Sequence, residues 1–147
     1  MTMPILWPAI AMAALIFAVC FTLMTQRLRH VRYNPPTAAD FADGESVQRY
    51  FRAVERPAHN LANLFEMPVL FFVLVPLLIL TGYANTIQVI LAWVFVTLRL
   101  LHSLIHIGPN KIRARFRAYL ASCLVLSAMW IVWTLDLAGL APWTHVL

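Results

Sequence analysis

The sequence contains few charged residues. Asp, Glu, Lys and Arg make up 12% of its 147 residues, whereas about a quarter is usual in a soluble domain. Hydrophobic residues make up 62%, and the mean hydropathy is +0.77. This composition excludes an ordinary soluble domain and predicts a membrane protein.

Other features are scarce or missing. The only two cysteines, Cys20 and Cys123, lie in apolar runs, so a disulfide framework is not expected. The sequence shows no glycine-rich phosphate loop, no nucleophile–histidine–carboxylate arrangement and no internal repeat. A net charge of +5 could indicate nucleic-acid binding, but the basic residues flank apolar runs without an aromatic–basic surface. No nucleic-acid partner is therefore predicted.

The positions of the 11 basic residues predict the topology. All except Arg99 lie in two tracts, Arg27 to Arg56 and Lys111 to Arg117. Positively charged loops stay in the cytoplasm, and apolar runs of about 20 residues cross the bilayer. The sequence predicts one all-α domain over residues 1–147, a multi-pass membrane four-helix bundle with both termini outside. The predicted spans are about 5–26, 60–82, 86–107 and 116–137, and the cytoplasmic loops are 27–59 and 108–115.

Two local patterns refine this picture. Pro68 and Pro76 are expected to bend the second span, with the freed carbonyls covered by neighbouring helices. In the first loop, apolar residues at i, i+3, i+4 and i+7 predict a short amphipathic helix that lies on the membrane face or on the bundle. They are Val47, Tyr50, Phe51 and Val54.

Polar residues follow helical spacing at the cytoplasmic ends of the second and third spans. The first stripe is Arg56, His59, Asn60, Asn63 and Glu66. The second stripe is Arg99, His102, His106, Asn110 and Arg113. A central charge within a span costs about 2.5–3.5 kcal/mol on insertion scales, so such faces are expected to contact protein or water rather than lipid.

Charge neutralisation predicts that Glu66 and Arg99 meet, because an unpaired buried charge is strongly disfavoured. This pair and the asparagines could equally serve only to hold helices together. Towards the second basic tract the stripes predict a partly hydrated pocket rich in cations. Arginine binds carboxylates bidentately, and a carboxylate such as Glu66 could hold an ammonium group. The pocket would therefore suit a zwitterionic peptide thiol.

A metal site is a weaker hypothesis. His102 and His106 lie one helical turn apart, and His59 could join them. A histidine pair without a third ligand and supporting hydrogen bonds is a weak signal. No metal is predicted.

Two segments together resemble the signature of the MAPEG superfamily, the membrane-associated proteins of eicosanoid and glutathione metabolism. Residues 55–72 read ERPAHNLANLFEMPVLFF, and residues 99–117 read RLLHSLIHIGPNKIRARFR. They look most similar to the bacterial branch. The resemblance implies a homotrimer of four-helix subunits, expected in the bacterial inner membrane. It also implies that glutathione binds as co-substrate near the cytoplasmic face, between subunits.

The resemblance also assigns roles to residues. Arg113 matches a thiolate-stabilising, catalytic arginine, and Arg117 is the alternative. His102 and His106 stand where well-characterised transferases have tyrosines. Arg56, Asn60 or Asn63, and Glu66 match the family's peptide-binding positions, and Arg27 or Arg29 matches the arginine of the first helix. Together with the second stripe, the residues predicted for glutathione binding are Arg56, Asn60, Asn63, Glu66, Arg99, His102, His106 and Arg117.

Two functions follow as hypotheses. One is a glutathione transferase or peroxidase that acts on a lipophilic small molecule delivered through the lipid. The other is a non-catalytic membrane subunit or scaffold, in which the stripes hold the assembly together or bind a partner. A remote third reading is a proton or ion path through Glu66, His102 and His106.

Overall fold

The computed structural model describes residues 3–140, and all regular structure in that range is helical. The six α-helices are α1 (Leu6–Tyr33), α2 (Gly44–Phe51), α3 (Arg56–Leu64), α4 (Met67–Leu80), α5 (Thr86–Ile107) and α6 (Ile112–Leu137). Single 3₁₀ turns at Ala38–Phe41 and Arg52–Val54 flank α2. The preference of amphipathic rings for membrane interfaces predicts Trp7, Tyr83 and Trp143 at the outer interface. Trp143 lies outside the described residues.

Four stretches are long and apolar enough to cross a membrane: α1, α3 with α4 as one unit from Arg56 to Leu80, α5 and α6. The first continues to Tyr33 rather than ending near residue 26, so the arginines after the apolar run lie on its last turns. Asn34, Pro35 and Pro36 follow, and the restriction that proline places on the preceding residue ends the helix there.

An apolar core fills the middle of the bundle. Phe71 and Phe95 pack with their ring centroids 5.0 Å apart, and Leu74, Leu78 and Met129 are fully buried around them. The helix α5 packs against α6, α1 and α3, while α6 also contacts α4. Large apolar side chains on the outer faces, such as Phe17 and Phe21 on α1, are exposed. That distribution suits a bundle surrounded by acyl chains.

The short helix α2 rests on the end of the bundle. Its Tyr50 and Phe51 pack around His30 of α1, with ring centroids 4.8 and 6.0 Å from the imidazole. The Tyr50 hydroxyl donates to the Asn34 carbonyl, and the Arg27 guanidinium lies 4.8 Å from the Phe51 ring centroid. The sequence predicted that this helix lies either on the membrane face or on the bundle. In the structure it lies on the bundle.

Both basic segments lie at the same end of the bundle. The Arg56 guanidinium, at the start of α3, donates to the Gly108 carbonyl after α5 at 3.2 Å. At the opposite end, the Trp133 indole donates to the Thr81 hydroxyl at 3.1 Å. We refer to the end that contains Arg56 and Gly108 as the basic end.

Candidate functional site

The second span is broken at Phe65 and Glu66, between α3 and α4. In a continuous helix the ring of Pro68 would clash with the Leu64 carbonyl four residues earlier, and Pro68 has no N–H to donate to it. The chain avoids this conflict at Glu66, where φ is −90° and ψ is −97°. Pro76, by contrast, lies inside α4 without ending it. Of the two prolines expected to bend the span, Pro68 coincides with the break.

The break frees a carbonyl for Arg99. In a continuous helix the Asn63 carbonyl would accept the N–H of Met67. Instead it accepts a hydrogen bond of 2.7 Å from the Arg99 guanidinium. Arg99 is fully buried, and its Nε and Nη1 atoms have no partner within residues 3–140. Its guanidinium carbon lies 5.6 Å from the centroid of the Tyr119 ring, which is within cation–π range.

The ion pair predicted between Glu66 and Arg99 is absent. Within the described residues the only close contacts between basic and acidic side chains are Arg49 with Glu45 and His59 with Glu55, both within one helical turn. The helical spacing that would bring Glu66 into line with Asn63 stops at the break, and Glu66 is exposed. A main-chain carbonyl takes the place that the sequence analysis gave to the carboxylate.

The imidazoles of α5 are also buried and incompletely paired. His102 Nδ1 lies 3.2 Å from the Arg115 carbonyl, and its Nε2 has no partner in the part of the chain described. His106 is 5% exposed, and its Nδ1 is likewise unpartnered there. The two rings are nearly perpendicular, with centroids 5.6 Å apart. Because a carbonyl only accepts, His102 Nδ1 carries the ring N–H, and Nε2 of the neutral ring is therefore an acceptor. His106 Nδ1 can donate or accept, depending on its tautomer.

Asparagines complete the inner layer. Asn60 is fully buried and its Oδ1 accepts from the Ser103 hydroxyl at 3.3 Å, while its Nδ2 has no partner within residues 3–140. Asn63 donates from Nδ2 to the His59 carbonyl at 3.0 Å. A buried donor without an acceptor costs about 1–3 kcal/mol. Several such donors close together are therefore expected to have a ligand or water.

A cavity of about 260 Å³ opens beside this layer, between the start of α6 and the break in the second span. Four of its lining residues are polar or charged: Asn63, Glu66, His102 and Arg115. The other three are Ile112, Phe116 and Tyr119. The cavity thus has one carboxylate and one guanidinium on its wall, and Tyr119, which also lines it, contacts the Arg99 guanidinium.

The predicted arginines of the second basic tract fall elsewhere. Arg113 and Arg117 are exposed and do not line this cavity, whereas the half-buried Arg115 does, and its guanidinium donates to Asn110 Oδ1 at 2.8 Å. Residues two apart on a helix differ by about 200° in direction, so Arg115 and Arg113 face opposite ways. The roles assigned to Arg113 and Arg117 stay predictions.

Arg115 was predicted only as part of the second basic tract, and neither Tyr119 nor Ser103 was predicted for the site. The sequence did contain a pattern that indicates Arg115 and Tyr119. Ile112, Arg115, Phe116 and Tyr119 follow i, i+3, i+4 and i+7, one face of α6. No group of three or more His, Cys, Asp or Glu side chains that could hold a metal ion occurs in residues 3–140.

These features define a helical membrane protein with a buried, donor-rich polar site at one end of its bundle. The family model for the MAPEG family matches residues 5–135, and the chain belongs to that family. No curated protein and no solved structure matches the chain at a significant level.

Proposed function

We propose that this protein binds glutathione at the basic end and uses it, as a transferase or peroxidase, on lipophilic small molecules. The observation that carries the proposal is the combination of MAPEG family membership with unpartnered buried donors on Arg99 and Asn60 and an unpartnered acceptor on His102, beside a cavity. Glutathione offers carboxylates and an ammonium group. These complement the guanidinium groups and the Glu66 carboxylate of this end.

The chemistry requires a thiolate. A thiol next to a positive charge has a larger thiolate fraction, and the thiolate is the nucleophile. In conjugation, the thiol proton passes to solvent, the sulfur forms a bond to an electrophilic carbon, and the leaving group or ring oxygen takes the electron pair. Arg113 is proposed for stabilising the thiolate, with Arg117 as the alternative. Arg56, Asn60, Asn63, Glu66, Arg99, His102 and His106 are proposed for binding.

Assembly and orientation belong to the same proposal. The protein would form a homotrimer in a bacterial inner membrane, with its basic end in the cytoplasm, since positive loops remain on that side. A ligand held between subunits would need cations that one subunit leaves exposed. Arg113 and Arg117 are such residues.

Calorimetric titration of the detergent-solubilised full chain with glutathione tests binding. Arg99→Met should weaken binding about tenfold or more, since hydrogen bonds to charged groups contribute about 1.5–3 kcal/mol. Lys111→Gln removes an equally positive but exposed side chain outside the cavity wall, and should retain the wild-type affinity. No heat of binding in the wild type would refute the proposal.

Catalysis is tested separately on the same preparation. Arg113→Ala should reduce both the ultraviolet absorbance of bound thiolate and the glutathione-dependent turnover of an electrophile, while glutathione still binds. Equal turnover in Arg113→Ala and wild type would contradict the role given to Arg113.

A second candidate is a non-catalytic membrane subunit that binds without turning over substrate. The placement of Arg113 outside the cavity of its own subunit favours it. It predicts that Arg99→Met disrupts assembly, seen as a smaller particle on size-exclusion chromatography, in a protein without turnover. Wild-type turnover would exclude it.

A further inference from the structure

A second cavity lies beside the last turns of α1, apart from the candidate site. Its volume is about 270 Å³, and we call it the α1 recess. The wall comes from the end of α1, its C-cap and the 3₁₀ turn that precedes α3, and consists of Gln26, Arg29, His30, Tyr33, Asn34 and Val54. Among the described residues, no part of this wall belongs to α3, α4, α5 or α6. The α1 recess therefore shares no residue with the cavity of the candidate site.

The wall of the α1 recess carries hydrogen-bond donors but, in the part of the chain described, no carboxylate. Its donors include the Arg29 guanidinium, the Tyr33 hydroxyl and the Gln26 amide. Arg29 has no acidic side chain in close contact within residues 3–140. Two acidic residues of the adjoining loop, Asp40 and Asp43, instead accept main-chain N–H groups of that loop. An anion in the α1 recess would therefore meet a positive charge and no opposing negative charge on the wall.

The first loop holds one side of the α1 recess in place. Tyr50 and Phe51 pack on the His30 imidazole, with ring centroids 4.8 and 6.0 Å from it. The Tyr50 hydroxyl donates to the Asn34 carbonyl, and Asn34 Nδ2 donates to the His30 carbonyl at 3.3 Å. These contacts fix the position of His30 and Asn34 before any ligand arrives, so binding need not order this side of the wall.

The α1 recess lies at the depth of lipid headgroups. The helix α1 has 28 residues and is therefore about 42 Å long, which matches the roughly 40–45 Å of a bilayer with its headgroup layers. Its apolar run precedes Arg27, and the residues of the recess fall on the turns around and after that arginine. Tyr33 is 73% exposed there, and tyrosine is typical of membrane–water interfaces. The anion that surrounds the protein at this depth is the phosphate of the lipids.

A strip of small side chains leads from the α1 recess along the apolar part of α1. Ala18, Thr22, Thr25 and Arg29 follow i, i+4, i+7 and i+11, so they share one face of the helix. Ala18 and Thr25 are exposed, and Thr22 is half-buried. Both threonine hydroxyls donate to carbonyls of α1 itself, at 2.8 and 2.9 Å, and so place no unsatisfied donor in the lipid. An acyl chain attached to a phosphate at Arg29 can lie along this strip.

We propose that the α1 recess binds an anionic phospholipid of the surrounding membrane, with its phosphate at Arg29 and Tyr33 and an acyl chain along the strip from Thr25 to Ala18. Arginine binds phosphate oxygens bidentately, and basic pockets at the ends of membrane spans recognise anionic headgroups. A headgroup that also carries an ammonium is disfavoured, because the wall has no carboxylate for it and the ammonium would lie near Arg29. The proposal does not depend on glutathione binding, since it uses none of the residues proposed for that function.

The test measures lipid retention on the purified full chain by native mass spectrometry, without glutathione. The detergent-solubilised protein is supplied with phosphatidylglycerol or phosphatidylcholine of identical acyl chains. The wild type should retain phosphatidylglycerol about fivefold better, the effect expected for one unfavourable charge near a partly solvated arginine. Glycerophosphoglycerol, which is the same headgroup without acyl chains, distinguishes a lipid from a soluble phosphate. At the concentration of the lipid it should displace little of the bound phosphatidylglycerol.

Variants assign the phosphate to the wall. Arg29→Gln should lower the retention of phosphatidylglycerol about tenfold, and Tyr33→Phe about threefold, because each removes a donor to a charged oxygen. Arg32→Gln is the matched control, since it removes an equally exposed arginine of the same helix that does not line the recess, and should stay within about twofold of the wild type. Arg29 and Tyr33 are exposed, so their substitution is not expected to prevent folding.

Equal retention of phosphatidylglycerol and phosphatidylcholine by the wild type would overturn the proposal. An equal loss in Arg29→Gln and Arg32→Gln would do so as well, because it would indicate attraction to the basic tract as a whole rather than binding in the recess. Complete displacement by glycerophosphoglycerol would show that the recess binds a soluble phosphate and not a lipid. The calorimetric titration with glutathione can fail without changing any of these results, so the two proposals are tested separately.

Discussion

The two halves of the bundle differ in what their interiors contain. Around Phe71, Leu74 and Phe95 the side chains are apolar and buried, and packing accounts for their arrangement. At the basic end, Arg99, Asn60 and His102 are just as buried but retain unpartnered polar atoms within the described residues. The apolar half is therefore expected to stabilise the bundle, and the basic end is expected to keep polar atoms available at a cost in stability. Buried polar groups of this kind mark functional sites in membrane proteins.

The largest expected effect is a loss of stability on substitution in the apolar half. Phe71→Ala is expected to lower the free energy of unfolding by about 3 kcal/mol, because it leaves a cavity at a fully packed position. Glutathione affinity of the folded variant should stay within about twofold. Unfolding in mixed micelles, followed by circular dichroism, measures the first quantity and calorimetry the second.

Leu80→Ala is the control for that substitution. Leu80 is 82% exposed, so its removal should change stability by less than about 0.5 kcal/mol. If Phe71→Ala and Leu80→Ala destabilise the protein equally, packing around the buried pair Phe71 and Phe95 does not account for the stability of the apolar half.

The polar half should respond in the opposite way. His102→Phe removes the free imidazole nitrogen and the Nδ1 hydrogen bond to the Arg115 carbonyl but retains a ring of similar shape, so stability should fall by about 1 kcal/mol. Ligand affinity should fall about tenfold, the value expected for one hydrogen bond to a charged group. Leu104→Phe, at an exposed position on the same helix, should leave affinity unchanged. A larger loss of stability than of affinity would assign His102 to packing.

The break between α3 and α4 is where the two halves meet. Pro68→Ala allows a continuous helix to recover the Asn63 carbonyl, which now binds Arg99. Helix content should rise slightly, stability should change by less than about 1 kcal/mol, and glutathione affinity should fall a few-fold as Arg99 loses its acceptor. Pro76→Ala is the matched control, because Pro76 does not interrupt α4. Equal effects of both substitutions on affinity would contradict this role for the break.

Much of the scaffold could be predicted because apolar runs and basic tracts are long-range patterns that tertiary detail hardly alters. The four stretches able to span a membrane and the basic segments at one end follow from them. The partner of Arg99 could not be predicted in the same way. The spacing of an unbroken helix places Glu66 on the same face as Asn63. Pro68 instead breaks the helix before it and frees the Asn63 carbonyl, and no sequence pattern indicates that a main-chain carbonyl will be free.

The same reasoning applies to the arginines of α6. Arg113, Arg115 and Arg117 are equivalent as members of a basic tract. They differ only in the direction in which each side chain projects from the helix. The apolar neighbours Ile112 and Phe116 share the face of Arg115 and Tyr119. The sequence shows that these four residues share one face of α6. Only the packing of α6 against α5 shows that this face lines the cavity.

The smallest effect should come from the first loop, which lies outside both halves. The Asp43 carboxylate accepts the Ser46 N–H at 2.8 Å at the start of α2. The Asp40 carboxylate likewise accepts the Thr37 N–H at 2.8 Å. These main-chain donors hold the pKa of each carboxyl below its ordinary value of 3.8. A lowered pKa in the folded state contributes stability that is complete above 3.8 and is lost as the pH falls through the folded value.

The loop should therefore exchange its amide hydrogens at a rate that, after correction for intrinsic exchange, is constant from pH 7 to pH 5 and rises below about pH 4. Asp43→Ala should raise exchange in α2 already at neutral pH, while Asp43→Asn should keep most of the protection, because asparagine is an equally good helix N-cap. Glutathione affinity should be unchanged in both variants, since α2 packs on His30 and Arg27 rather than on the cavity. A loss of affinity in Asp43→Ala would mean that the first loop belongs to the site, and the division between a scaffold half and a ligand-binding half would have to include it.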